Sequence, residues 1–222
     1  MSIIIDDSIS QIMPGCRLGL SLIEDTVIKG TPAALAQEFL QLQAELDGAY
    51  DLEGLPHLPR IIAVRKMYKK LHFDASRYRP ASEALIRRVL QHKNLYYVNS
   101  AVDVNNYCSL KFLLPCGLYD ADSLEGEIVY RLATPGTYVN IAGNEVSTEG
   151  KPFLADRLGV FGNPTADARR TAVTLSARRL LSVIYADEEV SDGELADMVT
   201  FIAAMLVRYN GGRISRQQVI KA

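Results

Sequence analysis

The run Asn99–Asp120, N-S-A-V-D-V-N-N-Y-C-S-L-K-F-L-L-P-C-G-L-Y-D, sets the tightest condition on how this chain folds. It carries Asp103, Asn105 and Asn106 inside an otherwise apolar sequence and breaks at Pro115 and Gly117. Amides and carboxylates taken out of water are costly unless paired. The run therefore demands a fixed hydrogen-bond network, a ligand pocket, or both.

With 222 residues, 48% of them apolar and 23% charged, the chain has the length and composition to bury a sizeable core. No apolar run approaches the roughly 20 residues that a membrane-spanning helix needs. The start, M-S-I-I-I-D-D, lacks the basic segment of a secretory signal. The expectation is a cytoplasmic protein with no membrane partner. Cys16, Cys108 and Cys116 form no C-x-x-C pair, and His57, His72 and His92 have no ligand spacing. No metal and no cofactor are therefore expected. The thiols read as small hydrophobes, and a Cys116 nucleophile would lack a neighbouring histidine in sequence.

The net charge of −2 hides an uneven distribution. From Arg60 to Lys93 there are ten basic and two acidic residues, so this segment carries +8 and the remainder −10. Lys66, Lys69, Lys70, Arg77, Arg79, Arg87, Arg88 and Lys93 are the candidates for holding RNA phosphates. A set of solvated helix faces is the alternative reading.

Leu18, Leu20 and Leu22 alternate with Arg17, Gly19 and Ser21, the period of a half-buried strand within 16–28. Thr31-Pro32 supplies a cap and first-turn proline for a helix to about Leu46, ended by Asp47-Gly48. After a loop at Leu55–Pro59, the spacing predicts a helix from Arg60 to Leu71 and another from Ala81 to Leu90. The second is capped by Ser82 and braced by a Glu83–Arg87 pair. Strands follow at 127–132, 138–141, 146, 153–156, 158–161, 172–175 and 180–185, with a polar loop at 162–171. Ser191-Asp192-Gly193-Glu194 fits a capping box for a last helix whose stripe is Leu195, Met198, Val199, Ile202, Met205 and Leu206. Asn210-Gly211-Gly212 stops it, and the tail beyond is expected to fray. The whole reads as one α+β unit.

Asn99–Tyr107 resembles the N-x-V-V-D-V-T-N-Y run of the B3/B4 module in bacterial phenylalanyl-tRNA synthetase beta subunits. Pro115–Asp120 is similar to that family's P-x-H-A-F-D. The likeness continues through Ile128–Gly136, Ile141–Glu145, Ala155-Asp156 and Gly159–Gly162, covering roughly residues 60–175. Tyr78–Val89 resembles the Tyr-Arg-Pro-x-Ser-Glu-Ala-Leu-x-Arg-Arg-Val segment of freestanding B3/B4-domain proteins.

The resemblance implies a B3/B4 fold of sandwiched β-sheets with flanking helices. Residues 1–59 would form a strand–helix extension, 60–175 the core, and 176–222 a strand and helix packed on it. It also implies a link to tRNA or aminoacyl-tRNA, since the module in the synthetase hydrolyses the ester of mischarged tRNA. Two readings follow: a hydrolase acting on a mischarged aminoacyl ester in trans, or a non-catalytic module binding RNA or a small amino-acid-like ligand.

The family histidine position is Gly117 here, and the glutamate that follows G-V-M-G-G has no counterpart before Asp167. Inherited tyrosyl specificity is therefore not expected, because a pocket reads a hydroxyl through a dedicated polar partner. Catalytic residues are not assigned. The candidates for a remodelled pocket are Asp103, Asn106, Gly117, Tyr119, Asn163, Thr165, Asp167, Arg170 and Thr171. For Asp103 and Asn106 the alternative is a structural hydrogen-bond network. For Asn163 to Thr171 it is turn chemistry in a solvated loop.

Overall fold

Pairing in β2 (Arg17–Glu24) organises the molecule. The computed structural model describes residues 2–71, 79–93 and 95–222. The chain begins with β1 (Ile3–Ile5) and a single turn, α1 (Asp7–Ser10), before reaching β2. Helices α2 (Ala33–Ala49), α3 (Pro59–Lys70), α4 (Ala81–Leu90) and α5 (Ser100–Phe112) follow. Then come β3 (Cys116–Asp120), β4 (Ile128–Leu132), β5 (Thr137–Val139), β6 (Glu145–Ser147), β7 (Pro152–Asp156) and β8 (Gly159–Gly162). The chain closes with β9 (Leu180–Ala186), α6 (Asp192–Asn210) and β10 (Arg213–Lys221).

Two four-stranded sheets result, one ordered β1-β4-β7-β8 and the other β10-β2-β9-β3, with β5-β6 as a separate hairpin. The second sheet is antiparallel throughout, while β1 joins the first in parallel with β4. The inner faces meet through aromatic rings. Tyr119 of β3 lies edge-on to Phe161 of β8 at 4.9 Å, and Tyr130 of β4 is 5.6 Å from Tyr185 of β9. The expected α+β class with sandwiched sheets and flanking helices is the one observed.

The alternation in β2 is real, but both faces are covered. Leu18 and Leu20 are buried, and so are Gly19 and Ser21, because α6 lies across the other face. A Cβ on Gly19 would stand 2.6 Å from Val199 Cγ2, so glycine lets α6 sit against the sheet. β9 is buried at all seven positions for the same reason.

Local chemistry explains the helix ends. Ser191 Oγ accepts the Glu194 N–H at 3.2 Å and starts α6 as the capping box predicts. Asn99 caps α5, its side chain accepting from the Ala101 and Val102 N–H groups. The expected caps of α2 and α4 are corrected: Pro32 and Pro80 hold the N-cap positions without a side-chain bond. Thr31 instead donates to Asp103, and Ser82 is buried within α4. The helix expected to end at Asp47-Gly48 continues to Ala49.

Two further expectations are overturned. Residues 172–175 form no strand; a 3₁₀ turn at Arg169–Thr171 leads into irregular chain. The tail does not fray, since eight of the nine residues of β10 pair with β2, around a bulge at Ser215, and hold the strand by backbone bonds despite largely exposed side chains. Gly212 permits the reversal: its φ is +80°, and a Cβ there would collide with the Glu24 carbonyl oxygen. The segment 72–78, which contains Arg77 and the start of the Arg77–Pro80 loop, lies outside the described residues.

Candidate functional site

The site grows from two glycines and a tyrosine. In β3, side chains two apart share a face, so Tyr119 can lean back over Gly117. A Cβ on Gly117 would be 2.6 Å from Tyr119 Cζ, and one on Gly162 of β8 would be 2.6 Å from Tyr119 Cε1. The ring therefore fills the space between the sheets that any side chain at either position would need. Its hydroxyl donates to Asp167 Oδ1 at 2.8 Å, and the Tyr185 hydroxyl lies 2.8 Å from it. With the Tyr119 proton directed at Asp167, Tyr185 donates to Tyr119 and the chain Tyr185–Tyr119–Asp167 is complete.

The loop after β8 presents the carboxylate. Asn163 Oδ1 accepts the N–H groups of Thr165 and Ala166 at 2.8 and 2.7 Å, closing an Asx turn. Thr165 Oγ1 meets the hydroxyl of Tyr68 from α3 at 2.7 Å, and Tyr138 donates to the Ala166 carbonyl at 3.1 Å. The Ala81 N–H donates to the Pro164 carbonyl at 3.1 Å, which ties the start of α4 to the same loop. Desolvation pushes the Asp167 carboxyl up to about 7, against the pull of the Tyr119 and Asn163 donors. Burial likewise pushes the Tyr119 and Tyr185 phenols up, so both stay protonated donors. The arrangement can pass or accept a proton near neutrality, or neutralise a cationic group.

Of the pocket candidates, Gly117, Tyr119, Asn163, Thr165 and Asp167 converge here. Asp103 does not. It is fully buried on α5, where it accepts the Thr31 hydroxyl and the Val98 N–H at 2.9 Å, and desolvation raises its carboxyl. Asn106 lies half-buried on α5, while neighbouring Asn105 donates to the Cys116 carbonyl at 3.0 Å. Arg170 is held by Asp156, at 2.5 Å, and by the Ser123 and Gly159 carbonyls, which makes it a clasp for the β7–β8 end. Thr171 is buried against the Ala168 carbonyl.

Tyr68, Tyr138 and Tyr185 were not among the sequence candidates. A tyrosine inside a largely apolar strand such as Leu180–Ala186 is the signal that could have found the last of them, because its buried hydroxyl needs a partner. Burial pushes the Cys116 thiol up to about 12, which removes it as a nucleophile at neutral pH.

The basic segment is largely answered by acid. Glu83, one of its two carboxylates, is buried and takes Arg65 through two bonds of 2.9 and 2.7 Å, with Arg87 at 2.8 Å and Arg79 at 3.8 Å. Burial pushes this carboxyl up, but the guanidinium bonds outweigh it and hold it below the ordinary range. Lys70 bonds Asp187 at 2.7 Å and Glu188 at 3.0 Å, and Arg60 pairs with Glu194. The acidic carboxy-terminal region thus folds onto the basic one. Asp187, Glu188 and Glu189 are close enough together to ligate a cation, but Lys70 already supplies the positive charge there. Lys66, Lys69 and Lys93 are exposed, and Arg88 lies over the Tyr96 ring at 4.9 Å. Arg77 is outside the described residues.

The architecture defines an α+β protein of two facing sheets whose interface holds a tyrosine–carboxyl chain. The family model described as B3/4 domain matches residues 63–190, and the chain belongs to that family. An uncharacterized protein of Bacillus subtilis (strain 168), YhzB, is 19% identical over 212 residues, which are 96% of each chain. A crystal structure of an N-terminal fragment of the phenylalanyl-tRNA synthetase beta subunit from Pyrococcus horikoshii is similar over 100% of this chain. The TM-score is 0.47 and the identity 10%, and the chain spans about half, 54%, of that fragment. No helix among the described residues is long and apolar enough to cross a membrane.

Proposed function

We propose that this B3/4-domain protein acts in the cytoplasm on the aminoacyl end of a charged tRNA and hydrolyses a mischarged ester in trans. The observation that carries the reading is Asp167, a half-buried carboxyl poised at about 7 and held by the Tyr119 hydroxyl. An aminoacyl ester is already activated, so positioning and one proton acceptor suffice. Asp167 as carboxylate takes a proton from water. The resulting hydroxide attacks the ester carbonyl, the bond to the ribose oxygen breaks, and that oxygen takes the proton back from Asp167, which restores the carboxylate. The whole chain, with 1–59 and 176–222 flanking the family core, is read as one unit in this activity.

A second reading is favoured by one specific feature. The Tyr119 ring occupies the space over Gly117, the position where the resembling synthetase motif has histidine. Space filled in this way leaves binding to the surface, which suits a non-catalytic module for RNA or for an amino-acid-like group held outside the sheets. A panel of mischarged tRNAs separates the two. Loss of one ester faster than in buffer, abolished by Asp167→Asn, supports hydrolysis. Salt-dependent tRNA binding without ester loss supports the module, and the absence of both ester loss and binding would remove the tRNA link.

A further inference from the structure

The connection between α4 and α5 places its aromatic residues outward. Tyr96 is 76% exposed, Tyr97 43% and Val98 61%, three consecutive apolar side chains left in water. Tyr97 is anchored from behind, its ring 6.1 Å from that of Phe39 on α2. Among the described residues, no second ring anchors Tyr96 in this way. The Arg88 guanidinium lies 4.9 Å from its ring centroid, and the ring stays open to solvent despite that contact. Contiguous apolar side chains left in water mark a surface on which something else packs.

The charge around the rings indicates what that is. From Ala84 to Val102 the sequence contains Arg87, Arg88, His92 and Lys93 and no carboxylate. Glu83 and Asp103, which bracket it, are both buried. Of the acidic groups on neighbouring α2, Asp47 faces His92 at 3.5 Å, Glu38 is taken by Arg208 at 2.8 Å, and exposed Glu45 accepts from Gln41 at 3.0 Å. Lys93, three residues before Tyr96 in the chain, is exposed. Open aromatic faces set among cations are the recognition surface of single-stranded nucleic acid: bases stack on the rings while phosphates meet the positive groups.

We infer that Tyr96 and Tyr97, backed by Arg88 and Lys93, form a stacking platform for unpaired RNA bases. This rests on the reading that the partner is RNA, but not on the ester chemistry at Asp167. The platform lies on a different connection from the β8 loop and would hold the RNA while its end is read elsewhere.

The test is fluorescence anisotropy with a short labelled single-stranded RNA, and with the same sequence as a duplex. Wild type should bind the single strand more tightly than the duplex. Tyr96→Ala should weaken single-strand binding by about tenfold, the loss of one stacked base. Tyr96→Phe should bind like wild type, because the ring and not the hydroxyl makes the contact. Lys93→Ala should lower the salt dependence of binding. Equal binding by Tyr96→Ala and wild type would overturn the platform, as would wild type that ignores single-stranded RNA. A dimer in sedimentation that Tyr96→Ala dissociates would overturn it too, by showing a second copy on the rings. Hydrolysis of a small aminoacyl ester carrying no RNA should be unchanged in Tyr96→Ala, so failure at Asp167 and failure of the platform give different results.

Discussion

A Cβ on Gly117 would stand 2.6 Å from Cζ of Tyr119, so the glycine and the tyrosine occupy one space between them. Where the resembling synthetase motif reads P-x-H-A-F-D, this chain reads P-C-G-L-Y-D. Three positions differ, and two of them, 117 and 119, are coupled in space. The side chain absent at 117 is replaced there by a hydroxyl reaching back from 119.

Gly117→Ala should therefore overpack the sheet interface and destabilise the protein by about 1–3 kcal/mol. Urea unfolding measures this directly. Adding Tyr119→Leu should return part of the loss by removing the ring the new methyl strikes. A Gly117→Ala protein as stable as wild type would mean that the ring is free to move away.

Asp167 should make stability fall with rising pH. Its folded value is raised from 3.8 to about 7, so between these values the folded state keeps a proton that the unfolded chain has released. The stabilisation is complete below about 3.8, declines as pH rises, and is lost above about 7. Asp167→Asn stays neutral and can still accept from Tyr119. It should match wild type near pH 4 and exceed it at pH 8 in denaturant midpoint. Midpoint differences that do not change with pH would refute the shift.

Glu83→Gln should be costly in a way that surface pairs are not. Glu83 is 2% exposed in its side chain and gathers Arg65 and Arg87 at 2.7 and 2.8 Å. Removing one partner of a buried pair strands the others, at a cost here of about 2–3 kcal/mol because the guanidiniums keep contact with water. The carboxyl is held below its ordinary value. Its contribution is therefore present above about pH 4.5 and lost as pH falls through the lowered folded value. Thermal unfolding at pH 7 and pH 3 should show the gap between variant and wild type closing in acid.

Deleting residues 213–222 should expose the edge of β2. Hydrogen exchange of the Leu18–Ile23 amides that face β10 would quicken, and the melting temperature would drop. Gly212→Ala should act in the same direction through its φ of +80° and the Glu24 carbonyl.

Much of the fold could be read from local chemistry. The last helix announced itself by its cap and stripe, α3 and α4 by their apolar spacing, and β9 by an apolar run broken only at Ser182. The helix at Ser100–Phe112 was harder to see because it is covered on several sides. Ala101, Val104, Cys108 and Leu110 are all buried, as are Asp103 and Asn105, so no polar stripe marks an outer face. The strand at Arg213–Lys221 was hidden for the opposite reason: its polar side chains stay in water, and only backbone pairing with β2 makes it a strand.

The amino-acid sequence by itself determined the α+β class, the family to which residues 63–190 belong, and the absence of a histidine at 117. Only the tertiary structure decided which polar residues act together. It separated Asp103, closed within α5 by Thr31 and Val98, from Asp167, which faces Tyr119 across two sheets. It also set the basic segment against Glu83, Asp187, Glu188 and Glu194, leaving Lys66, Lys69 and Lys93 exposed. The reason is physical. Periodicity and capping act within a few residues of chain, whereas a hydrogen bond or an ion pair depends on distances that strand pairing and packing set between segments remote in sequence.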